Sequence, residues 1–127
     1  MNFEKVLFGF FIILALTLNF GFVLGEIDNP AHHNAYELFA AIVVNLIATV
    51  MKFGDRTHTG ALLLATSLVA ILQLIAAAVV WGYALNISAT GVNPMLMASI
   101  VSLAAGAVVA NVISVVLLIA DAVNLRR

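Results

Sequence analysis

The chain has 127 residues, 65% of them hydrophobic, with only five basic and six acidic side chains. A soluble domain is about half apolar and about a quarter charged, so a solvated globule is excluded. The net charge of −1 gives nucleic acid no basic surface to bind, and the lack of cysteine removes disulfide and thiolate chemistry.

The charges fall in short clusters separated by membrane-sized gaps. These gaps predict helices at about 6–24, 35–51, 60–85 and 94–120, each near the ~20 apolar residues that cross ~30 Å of hydrocarbon. No alternation of period two supports a barrel. The fold class expected is an all-α integral membrane protein, one domain of four transmembrane helices in a compact bundle. The first helix runs from Val6 to Leu24, with Asn19 its one strongly polar residue. Val23-Leu24-Gly25 before Glu26 loosely resembles a signal-peptide cleavage site. The apolar stretch is long for a signal peptide, however, and Lys5 alone makes its basic region, so it reads as a retained helix. In the next connection Pro30 would open the second helix with Asn29 as its cap. Glu37 lies near the start of that helix. Phe53 to Gly60 forms a polar hairpin into the third helix, and Asn93-Pro94 repeats the cap-and-proline signal before the fourth.

Lys5, Lys52, Arg56, Arg126 and Arg127 are the only Lys and Arg residues, and four crossings place all of them on one side. The other side carries Glu26 and Asp28 and no Lys or Arg. By the positive-inside rule the basic side is cytoplasmic, and both termini lie there. The expected location is a cell membrane, crossed several times, and in a bacterium the inner membrane.

Helix two aligns over helix four so that Asn45 meets Asn111 and Asp55 meets Asp121. Both helices run in the same direction, so a true duplication would relate two parallel hairpins by an axis along the membrane normal. Chance matching of two apolar helices is the competing explanation. Each helix carries one interior carboxamide: Asn19, Asn45, Gln73 and Asn111. An unpartnered amide in hydrocarbon costs about several kcal/mol. These side chains therefore either join helices, at roughly 1 kcal/mol or less per bond, or line a path for ions or water.

Helix four has small residues at every fourth position: Ala98, Ser102, Gly106, Ala110 and Ser114. Thr17, Gly21 and Gly25 form a shorter set on helix one. Such faces let backbones approach closely, which would make helix four the central packing element, inside the bundle or between protomers. The phenylalanines concentrated on helix one suggest that it faces lipid.

The cluster richest in chemistry is Asp28, His32, His33 and Glu37, beside Glu26. A helix beginning at Pro30 would set His33 and Glu37 on one face. Imidazole and carboxylate suit a divalent metal, and the position suits a pH-sensitive gate. Solvated loop histidines and a Glu37 reaching toward water are the plainer explanation. At the cytoplasmic side, Asp55 with Arg56 and Asp121 with Arg126 and Arg127 suggest ion pairs. Asp121 near a helix C-terminus is opposed by the helix dipole and calls for a basic partner such as Lys52 or Arg56. There is no nucleophile–base set, no glycine-rich phosphate loop and no facing pair of axial ligands, so neither an enzyme nor a cofactor is expected.

In length, helix count and the Val44-Asn45-Leu46 stretch of helix two, the chain resembles the small fluoride channels. Where those channels carry a stretch rich in threonine and phenylalanine in helix three, this chain reads Leu62-Leu63-Leu64-Ala65-Thr66-Ser67-Leu68. It is similar in size to the small multidrug exporters, which place a glutamate inside helix one where this chain has none. Two functions remain. One is a homo-oligomeric ion channel or small-ion transporter, with the carboxamides and Glu37 on or near the path. The other is a non-transporting accessory or scaffold subunit of a larger membrane complex. The partners are accordingly the lipid bilayer, further copies of the chain, or another membrane protein.

Overall fold

The computed structural model describes residues 3–55 and 57–126. It has four long helices, α1 (Phe3–Val23), α2 (Ala35–Lys52), α3 (His58–Asn86) and α4 (Pro94–Arg126). All four are long and apolar enough to cross a membrane. Pro94 opens α4 as the sequence suggests, and Asn93 Oδ1 accepts from Leu96 N–H at 2.8 Å. Pro30 does not open α2. It starts a separate 3-10 turn, Pro30–His32, capped by Asn29, and α2 begins only at Ala35. The reason is a second cap: Asn34 Oδ1 accepts from Tyr36 N–H at 2.8 Å, which restarts the helix there.

Each helix packs on its chain neighbours, and α1 closes the ring against α4. The result is an up-down-up-down bundle. The end with Lys5 and Lys52 is called the basic end below, and the end with Glu26 and Asp28 the acidic end.

The buried seams follow one rule. On α1 they are Phe8, Ile12, Ala15, Asn19 and Phe22; on α4 they are Met97, Ile100, Ala104, Ala107, Asn111 and Ser114. The steps alternate between three and four residues, the seven-residue period of left-handed helix packing. A stripe at every fourth residue drifts off such a seam by about 40° per step. The small residues of α4 show that drift. Ser114 and Ala110 are buried, Gly106 is half-buried, Ala98 is half-buried and Ser102 is exposed. A Cβ at Gly106 would stand 3.2 Å from the Gln73 carboxamide, so α3 lies close against α4 there. Nor is α1 wholly lipid-facing. Phe3, Phe10 and Phe20 point outward, but Phe8 and Phe22 are fully buried.

Asn19 ties α1 to α4. With its amide oriented to satisfy both atoms, it donates to Ala104 O (3.2 Å) and accepts from Val108 N–H (3.1 Å). An amide between helices in lipid contributes about 1 kcal/mol. Asn19→Leu should lower stability by about that amount, read as a lower unfolding temperature in detergent; an unchanged temperature would show that the tie adds nothing.

Candidate functional site

Lys52, Gly60 and Leu118 line one cavity of about 200 Å³ at the basic end, together with Lys5, Asp55 and Asp121. These residues set a common level on three helices. Seven residues farther toward the acidic end, each of those helices carries a fully buried polar side chain: Asn45, Ser67 and Asn111. The three form a layer about 10 Å deeper than the cavity. On α1 the buried residues around that level, Ile12 and Ala15, are both apolar, so the fourth helix adds no polar group to the layer.

The layer is under-bonded. Asn45 Nδ2 donates to Ala41 O of its own helix at 2.9 Å. Asn45 Oδ1, Ser67 Oγ and both Asn111 side-chain atoms have no partner in the protein. Most buried polar side chains are paired, and an unpaired one costs about 1–3 kcal/mol. Four such atoms at one level are therefore a feature to explain.

Apolar residues close the layer on both sides. Toward the acidic end lies the larger cluster, with Phe22, Leu38, Leu74, Met97 and Ile100 fully buried. Toward the basic end lie Phe8, Ile12, Ala48 and Leu63. Lys52 Nζ sits 4.3 Å from the centre of the Phe8 ring and 3.7 Å from Asp55 Oδ2. Asp55 Oδ1 in turn accepts from the Thr57 hydroxyl (2.7 Å) and N–H (2.9 Å). The Thr57 hydroxyl, then its N–H, hold the Asp55 carboxyl below its ordinary range; burial opposes this weakly and Lys52 assists. A carboxyl lowered in this way stabilises the folded hairpin at neutral pH and stops doing so only as pH falls through the lowered value.

Lys52 pairs with Asp55, a pairing the sequence did not single out. Asp121 lines the same cavity. Arg56 lies outside the described residues.

Of the carboxamides, Asn45 and Asn111 share the layer, and Asn19 and Gln73 meet α4 one level nearer the acidic end, at residues 104–108. Glu37 is half-buried, its carboxylate against Gly21 of α1. Because α2 starts at Ala35, His33 and Glu37 do not share a helix face. Among the described residues no three His, Asp or Glu side chains converge to hold a metal. Asp28, His32, His33 and Glu37 do not come together as three in this arrangement. Their two imidazoles contact backbone groups instead, and His32 also the Asn29 carboxamide. Ser67 is a site residue that sequence reasoning missed; its signal was the seven-residue step from Gly60.

A family model matches residues 32–122. The chain belongs to the DUF6394 family, a family of unknown function. The DUF6394 match takes in Asn45, Ser67 and Asn111, and so the whole polar layer. Comparison with curated proteins and with solved structures gave no match.

Proposed function

We propose that this DUF6394 protein moves a small ion or small polar solute across a cell membrane, and that the layer of Asn45, Ser67 and Asn111 is where the solute rests. The observation that carries this reading is the set of four buried, unpartnered polar atoms between two apolar clusters. Three oxygens, one hydroxyl hydrogen and one carboxamide nitrogen offer both acceptors and donors without a fixed charge. A solute there would replace its hydration shell with these atoms, and the apolar clusters would keep water out on either side. The cavity at the basic end, with Lys5, Lys52, Asp55 and Asp121, would be its approach from the cytoplasm if the basic end faces inward, as its cations favour. The exposed Ser102 and half-buried Ala98 offer a small-residue face for a second copy, and the reading includes self-association there.

Purified protein in liposomes tests this. Gradients of potassium, sodium, chloride and fluoride, followed by ion-selective electrode, should include at least one that dissipates faster than in protein-free vesicles, and light scattering under an osmotic gradient covers small neutral solutes. Vesicles as tight as the protein-free ones to every probe would overturn the proposal in favour of the accessory-subunit function.

A further inference from the structure

His33 is buried at the acidic end, 4% exposed. Its Nδ1 lies 2.6 Å from Phe22 O and its Nε2 lies 2.7 Å from Glu26 O. A carbonyl oxygen only accepts, so each of these bonds needs a proton on the ring nitrogen. Neutral imidazole has one N–H and imidazolium has two. We propose that the α1–α2 connection is a proton-operated latch, closed by a doubly protonated His33 that clamps the end of α1 to residue 26.

The neighbouring histidine is set the other way. Glu26 N–H donates to His32 Nδ1 at 2.9 Å, so that nitrogen must carry no proton. The two rings are 6.4 Å apart, where two positive charges would repel. The closed latch thus requires a cation at His33 and a bare Nδ1 at His32, whose Nε2 lies 3.3 Å from Asn29 Nδ2.

The surroundings suit a cation at His33. Phe22 O is among the last carbonyls of α1, at the negative end of its helix dipole. The Phe22 ring lies 5.7 Å from the imidazole. The other titratable groups on this side are Glu26, Asp28 and His32 of the connection and Tyr36 and Glu37 of α2. From α3 and α4 come Trp81 and Tyr83 and no charge, because residues 59–120 contain no Asp, Glu, Lys, Arg or His.

The sign follows from proton counting. The closed connection holds a proton on His33 that the open one can release, so closure is strongest with the proton bound and weakens as pH rises. A proton on His32 Nδ1 would likewise remove its bond from Glu26 N–H. Closure therefore has a window, bounded on the alkaline side by one histidine and on the acid side by the next. The latch sits against Phe22, a member of the apolar cluster that closes the polar layer, so its release frees the end of α1 from the start of α2.

The test uses the full chain in lipid nanodiscs with ¹⁵N-labelled histidine. Amide exchange of Glu26, Asn29 and His33 is followed across pH, and the ring nitrogens are observed in the same samples. At the pH of strongest amide protection, His33 should show two protonated ring nitrogens and His32 an unprotonated Nδ1. On the alkaline side protection should fall at least tenfold, and in His33→Gln that step should vanish. His32→Gln should keep the alkaline step and lose the acid one. A single neutral tautomer at His33 while the amides remain protected overturns the proposal. So does an unchanged alkaline step in His33→Gln. The ring-nitrogen measurement needs no variant, so it decides the matter even if a substitution prevents folding.

Discussion

Asn111→Leu should make the protein more stable and stop it transporting. The two side chains are of similar size, and both polar atoms of Asn111 are buried without a partner. Removing an unsatisfied buried polar group recovers part of its desolvation cost, so a gain of about 1–2 kcal/mol is expected. Thermal unfolding in detergent would show it as a higher midpoint. Liposome flux of whichever solute the parent carries should fall at least tenfold, because the layer loses a donor and an acceptor. A carboxamide that served as packing glue would give the opposite pair of results: lower stability with flux intact. That pair would sink the resting-place reading of the layer.

The second large effect is expected at Gly25. Its φ is +97°, a backbone conformation that a β-branched residue resists, and an added Cβ would stand 2.7 Å from His32 Cβ. Backbone strain of about 1–3 kcal/mol plus that overlap makes Gly25→Val destabilising by about 2–4 kcal/mol. Gly54 separates the two causes. It also has a positive φ, +85°, but nothing lies within 4 Å of an added Cβ, so Gly54→Val carries strain alone. Unfolding midpoints should rank parent, Gly54→Val, Gly25→Val in falling order. Equal losses at the two sites would mean that the His32 contact contributes nothing.

How much of this was legible beforehand depended on which residues are scarce. Charges are scarce, and their gaps predicted the four helices within a few residues at nearly every end. Asparagine in hydrocarbon is scarce too, so Asn45 and Asn111 stood out from sequence, and the structure buries both. Apolar residues are everywhere. In a membrane the outside of a helix is as greasy as the inside, so hydrophobicity does not separate the seam from the lipid face. That is why Phe8 and Phe22 could not be told from Phe10 and Phe20, and why a fourfold stripe on α4 stood in for its sevenfold seam. Ser67 escaped notice because serine in a helix commonly bonds back to its own backbone, and nothing local says that this one does not. The His33 clamp was invisible for another reason. Its partners are main-chain oxygens, and any residue type supplies those.

The unequal lengths of the helices bear on the surrounding lipid. From the level of Lys52 and Gly60, α2 climbs 17 residues to Ala35 while α3 climbs 26 to Asn86. At 1.5 Å per residue that is about 26 Å against about 39 Å. The first is shorter than the ~30 Å hydrocarbon layer and the second is longer. One flank of the bundle therefore favours a thinner bilayer than the other. Lipid beside α2 would be compressed, while beside α3 the chains stretch or the helix leans. A bundle with so lopsided a perimeter is sensitive to the thickness of the membrane that holds it, and it imposes on its neighbours a slope that an evenly cut bundle would not.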